Sequence, residues 1–157
     1  MRSERALVIG VGGIGAPLLW ALAASGRPMR LLLCDDDVVE RTNLHRQILF
    51  DEADVGRDKL AVTAERLRGS ALEIELFRGR FEPAVAAGLV AEVDAVVDCS
   101  DNFATRFLAA DAAFLGRKPL VSAAAVRLAA TIVSAGPEGA PCYLCLFEDL
   151  PEGDARD

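Results

Sequence analysis

A single histidine, His45, in 157 residues excludes a multi-histidine metal site and argues against a serine triad, which needs an imidazole aligned by a carboxylate. Positive charge is also scarce. Lys and Arg number 17 against 24 Asp and Glu, a net charge of -7, which is the wrong balance for a general nucleic-acid surface. No apolar run reaches the ~20 residues that span a bilayer. The opening Met1-Arg2-Ser3-Glu4-Arg5 leads straight into an apolar strand pattern, without the basic segment, apolar stretch and small-residue cleavage site of a secretory leader. A soluble, cytoplasmic protein is therefore expected. Internal repeats, low-complexity tracts and linkers are lacking as well, so residues 1–157 are expected to form one domain, with a substantial core from 52% hydrophobic residues.

Cysteine is sparse, at four residues. Cys34 and Cys99 end apolar strand-like runs, where a free thiol packs as a small hydrophobe. Cys142 and Cys145 have the spacing that lets two sulfurs reach one zinc ion, but a structural site generally needs four ligands. The pair is half a zinc site or two inert packed thiols. It follows a glycine- and proline-rich loop rather than opening a helix, which weighs against a redox dithiol.

The remaining pattern alternates strand and helix. Strands are predicted over 5–9, 29–34, 73–78, 93–97, 119–124 and 129–134, and helices over 14–24, 57–68, 83–89 and 102–115. Residues 38–55 lack a period and are expected to form a functional loop with a short helical turn. Asp101 or Asn102 stands where it would cap the last helix. This rhythm defines an α/β fold with a mainly parallel sheet, whose ligands bind beyond the carboxyl ends of the strands. Gly10, Asp35 and Asp98 all fall at such ends.

The chemistry-bearing residues occur in an ordered series. Gly10-Val11-Gly12-Gly13-Ile14-Gly15 lets backbone approach phosphate closely and opens a helix whose N–H groups point at an anion. Asp35 ends the second strand, where a carboxylate accepts hydrogen bonds from ribose hydroxyls, in NAD or in ATP. Asp36 and Asp37 are equally readable as solvated turn residues. Arg46 and Lys59 supply fixed positive charge for phosphate, one as a planar fork and the other as a compact ammonium. Each taken singly is better read as a surface arginine and a helix-start lysine. Asp101 offers an oxygen ligand for magnesium beside the phosphates, in competition with the capping role. A rival reading on the glycine turn and Asp35, an NAD-binding oxidoreductase, would leave Arg46, Lys59 and Asp101 unexplained.

Together with Asn43-Leu44-His45-Arg46-Gln47, Asp54-Val55-Gly56-Arg57-Asp58-Lys59, Asp98-Cys99-Ser100-Asp101-Asn102 and Cys142-Tyr143-Leu144-Cys145, in this order, the chain resembles the ThiF/MoeB group of the ubiquitin-activating enzyme superfamily. That resemblance implies a Rossmann-like adenylyltransferase. It implies that Gly10, Gly12, Gly13, Gly15 and Asn102 line the ATP site, that Asp35 binds ribose, and that Asn43, Arg46 and Lys59 engage the phosphates. Asp101 is implied in the magnesium-dependent step. In such enzymes the C-terminal glycine carboxylate of a ubiquitin-like sulfur carrier attacks the α-phosphate of ATP, giving an acyl-adenylate and pyrophosphate. A carrier ending in Gly-Gly and a homodimeric state are further implications, with zinc held if a second cysteine pair exists. The family continues through a crossover loop and further strands, so this chain is expected to be a C-terminally incomplete nucleotide half with an apolar sheet edge left open. The alternative functions are a non-catalytic nucleotide-binding module or half of a split enzyme.

Overall fold

The computed structural model describes residues 4–138. Its sheet has six strands, β1 (Arg5–Ile9), β2 (Met29–Asp35), β3 (Leu72–Arg78), β4 (Ala95–Asp98), β5 (Leu120–Val126) and β6 (Ala129–Ala135), in the order β3-β2-β1-β4-β5-β6. The first five are mutually parallel and β6 returns antiparallel to β5. Helices α1 (Gly15–Ala24), α2 (Lys59–Arg66), α3 (Pro83–Ala91) and α4 (Phe103–Leu115) cover the two faces. This is the Rossmann-like α/β architecture that the sequence predicts.

The central strands β1 and β2 are nearly continuous apolar runs because both faces are packed. In β1, Ala6 and Val8 enter one core with Ala16 and Leu19 of α1 and Leu60 and Val62 of α2. Leu7 and Ile9 point the other way, against Ala86, Leu89 and Val90 of α3 and Ala109 and Ala113 of α4. Outermost β3 instead alternates, exposing Glu73 and Glu75, which pair with Arg30 and, for Glu75, with Arg5. Arg5, Arg30 and Glu73 stand at or next to the amino ends of their strands, and Glu75 at the middle of β3.

Most boundaries shift by one or two residues, and two of these shifts have a visible cause. The helix predicted over 57–68 begins at Lys59, because Asp58 caps it by accepting from the Ala61 N–H at 2.6 Å. The strand predicted over 93–97 begins at Ala95, since Asp94 is used at the base of β1, where its carboxylate accepts from the Arg5 N–H at 2.9 Å. The segment between β2 and α2 contains two 3-10 turns, Arg41–Asn43 and Glu52–Asp54, rather than one helical turn. No helix among the described residues is long and apolar enough to cross a membrane.

β6 forms an edge of the described sheet, with Ile132 exposed on it and Val126 and Leu128 exposed at the hairpin end. Cys34 and Cys99 are buried and unpaired, and Cys34 donates to the Gly79 carbonyl at 3.3 Å. Burial, reinforced by neighbouring carboxylates, pushes both thiols up to about 12. Iodoacetamide at pH 8 should therefore leave Cys34 and Cys99 unmodified in the native protein and alkylate both after denaturation, as read by peptide mass; native labelling of either would contradict their packing.

Candidate functional site: a crevice at the sheet switch point

The strand order reverses between β1 and β4, so the loops leaving them diverge and open a crevice at their carboxyl ends. Two loops meet there at backbone distance. Gly10 has φ +86, and a Cβ on it would stand 3.0 Å from the Cys99 carbonyl oxygen, so the glycine loop is pressed against the start of the 98–102 loop. A Cβ on Gly15 would lie only 2.1 Å from the Gly10 carbonyl oxygen. This contact turns β1 into α1 with no room for a side chain and leaves the α1 N-terminus facing the crevice.

Asp35 closes the glycine loop from the β2 side. Its Oδ2 accepts from the Val11 N–H at 2.6 Å and its Oδ1 from the Asp37 N–H at 2.8 Å. Burial raises its carboxyl above the ordinary value, although these two N–H groups and the Lys59 charge act to lower it. The predicted ribose ligand is thus also the tie between two loops. Asp37 is exposed, as a solvated turn residue would be, but its Oδ2 also receives the Lys59 Nζ at 2.7 Å, and the Lys59 side chain is almost wholly buried. Asp35, Asp36 and Asp37 have ligand atoms within 4.8 Å of one another, but backbone amides and Lys59 already occupy Asp35 and Asp37.

Residues 38–58 form a loop closed at its base, where Val39 N–H donates to the Arg57 carbonyl and Gly56 N–H to the Val39 carbonyl, both at 2.8 Å. Val39, Leu49 and Phe50 sink into the core and fix its body. The loop returns Arg46 to the glycine turn, its Cδ 3.3 Å from where a Gly13 Cβ would stand. Asn43 is held by Glu40, whose carboxylate accepts from its side-chain amide at 3.2 Å. Gln47 is buried, with Nε2 facing Gly12 and Oε1 lacking a partner. Behind the loop, Asp54 accepts from Arg57 Nη1 at 2.8 Å and Arg66 Nη2 at 2.6 Å. Burial acts to raise the Asp54 carboxyl, but the Arg66 and Arg57 bonds prevail and hold it below the ordinary value.

On the other side of the crevice, Asn102 rather than Asp101 caps α4, its Oδ1 accepting from the Thr105 N–H at 2.9 Å. Asp101 is exposed, and its carboxylate does not serve the cap. Among the described residues no ion pair joins Asp101 to Arg46 or Lys59. Cys142 and Cys145 lie outside the described residues. Sequence reasoning gave no individual role to Asp98, Gln47 or Arg106. Asp98 is fully buried and accepts from Ser100 N–H, Ser100 Oγ and Ser122 Oγ. An aspartate closing an apolar strand two residues before a serine was the available signal for this local hydrogen-bonded turn.

The arrangement is a crevice at the switch point of a Rossmann-like sheet, carrying a buried lysine, a loop arginine and an exposed aspartate that the helix cap does not use. The sequence pattern of the ThiF family matches residues 1–157, and the chain belongs to that family. It is 45% identical over 150 residues to a Bos taurus protein named adenylyltransferase and sulfurtransferase MOCS3, covering 94% of this chain and 33% of that one. It is 41% identical over 152 residues to the SAMP-activating enzyme E1 of Haloferax volcanii, covering 96% and 56%. Among solved structures it superposes on E. coli MccB crystallised with ATP with a TM-score of 0.81, at 29% identity over 90% of this chain and 43% of MccB. The chain thus spans between a third and somewhat over half of these relatives.

Two outcomes test the geometry. Gly15→Ala forces a methyl into a backbone carbonyl and should cost about 3 kcal/mol or more, lowering Tm by roughly 6–12 °C; Gly12→Ala, which meets only the flexible Gln47 amide at 3.6 Å, should leave Tm nearly unchanged. For Asp54, the folded carboxyl is depressed, so its contribution is complete above the unfolded value of about 4 and is lost as pH falls through the folded value. Asp54→Asn should therefore lower Tm at neutral pH and converge on the parent protein as pH falls below that ordinary value, and a constant difference from neutral to acid pH would contradict the pairing.

Proposed function

We propose that this chain is the nucleotide half of an adenylyltransferase that activates the C-terminal glycine carboxylate of a ubiquitin-like sulfur-carrier protein. The observation that carries the reading is the placement of Arg46 against Gly13, with Lys59 buried beside the Asp35 loop on one side and Asp101 left uncapped on the other. The relatives named for adenylyl transfer and for SAMP activation support it, as does the MccB complex with ATP.

In this reaction the triphosphate lies along the glycine turn, with its oxygens on the exposed amides at the start of α1 and its ribose towards Asp35. The incoming carboxylate is already ionised, so no base is required. Its oxygen forms a bond to the α-phosphorus while the bond from that phosphorus to the bridging oxygen breaks, and the electron pair leaves with pyrophosphate. Catalysis then rests on alignment and on charge placed where it accumulates. Arg46 presents a fork to the phosphate oxygens, and Asn43 beside it donates an amide. Lys59 is held ready by Asp37, which compensates its charge until phosphate oxygens take its protons in hydrogen bonds. Asp101 is an exposed hard oxygen donor not consumed by the helix cap, so it fits a magnesium ion. Magnesium, when bound, supplies neutralisation of the phosphate oxygens.

Pyrophosphate exchange tests the proposal. With a carrier ending in Gly-Gly and magnesium present, labelled pyrophosphate should appear in ATP, and Arg46→Ala, Lys59→Met or Asp101→Asn should each reduce exchange about 100-fold or more. ATP-dependent protection against heat without any exchange would identify a binding module instead.

A further inference from the structure

Arg106 is only 7% exposed, yet among the described residues no carboxylate pairs with it. A buried guanidinium without a counter-charge costs several kcal/mol, so its retention calls for a specific task. Its Nη2 donates to the Ser100 carbonyl at 2.7 Å, its Cζ stands 5.7 Å from the centre of the Phe103 ring, and its Nε has no partner. With Phe103 and Ser122 it lines a cavity of about 120 Å³ between α4 and the β5–β6 hairpin.

The atom that Arg106 grips defines the task. Ser100 is held on its other side by Asp98, whose Oδ1 accepts from the Ser100 N–H at 3.0 Å and from the Ser100 Oγ at 2.6 Å, while Oδ2 takes the Ser122 hydroxyl at 2.6 Å. The Ser100 carbonyl belongs to the planar peptide unit that also contains the Asp101 nitrogen. Fixing that carbonyl therefore fixes the plane from which Asp101 departs. The next residue, Asn102, is pinned as the cap of α4. Asp101 itself is exposed, and its backbone is flanked by held groups on both sides.

We propose that Arg106 is a positioning residue that aims Asp101 into the nucleotide crevice by holding the Ser100–Asp101 peptide plane. Its fork shares the work with Asp98: the carboxylate holds the Ser100 amide and hydroxyl, and the guanidinium holds the carbonyl. The Phe103 ring keeps the guanidinium in place without competing for its donors. This inference rests on the assignment of Asp101 to magnesium in the proposed function.

A double-mutant cycle separates the two. In the 157-residue chain, ATP affinity is measured calorimetrically with magnesium and with chelator, for the parent protein, Asp101→Asn, Arg106→Met and the double variant. Arg106→Met should cut the magnesium-dependent gain about tenfold in the parent background and less than about twofold once Asp101 is already replaced. An equal reduction in both backgrounds, or none in the parent, overturns the positioning role. If Asp101→Asn loses the gain while Arg106→Met keeps it, only this inference fails; if Asp101→Asn keeps it, the Asp101 assignment fails and this inference with it. Should Arg106→Met not fold, Arg106→Gln, which keeps a polar side chain but shortens its reach and removes its charge, enters the same cycle with the same outcomes.

Discussion

The carboxylate of Asp35 joins the two loops on which the crevice depends. By accepting from Val11 with one oxygen and from Asp37 with the other, it ties the turn after β1 to the turn after β2. The glycine loop then cannot drift from the sheet, and Asp37 is set where it receives the buried Lys59 ammonium. The carboxyl is raised by burial, so the tie uses a charge whose desolvation the neighbouring N–H groups and Lys59 only partly offset. Such an arrangement persists because so many later contacts rely on it: the α1 N-terminus, the Arg46 approach to Gly13 and the placement of Lys59 all begin from these two turns.

The two walls of the crevice are held by different physics. The 38–58 wall is long, and it is fixed by buried hydrophobic anchors and by the Asp54 pairings with Arg57 and Arg66. The 98–102 wall is short and is fixed by directional bonds from Asp98, Arg106 and the Asn102 cap. A long loop gains enough apolar burial to order itself, whereas five residues do not. Among the described residues Asp98 and Arg106 are buried beneath the shorter wall, as Asp54 and Lys59 are at the longer one.

Much of the fold was legible because the decisive signals are local. Apolar runs ending in Gly10, Asp35 and Asp98 mark parallel strands by length and composition, and all three do stand at the carboxyl ends of parallel strands. Period also exposed β3 as a strand with one charged face. Side-chain choices between near neighbours were not legible. Asp101 and Asn102 are both acceptable caps, and only the backbone geometry selects Asn102. Likewise Asp37 resembled any solvated turn carboxylate, because the lysine that pairs with it comes from a helix 22 residues later. Arg106 sat inside a helical pattern, and nothing in its spacing showed that it folds back onto a carbonyl six residues earlier.

The antiparallel return of β6 has a directional meaning for the whole molecule. Because Ala135 pairs with Leu120, the chain is carried from the crevice side of the sheet back to the amino ends of the parallel strands, the pole where Arg5 meets Glu75 and Glu92. Polypeptide entering β1 and polypeptide leaving β6 share that floor. A strand added beside β6 would widen the sheet sideways and leave the mouth of the crevice open.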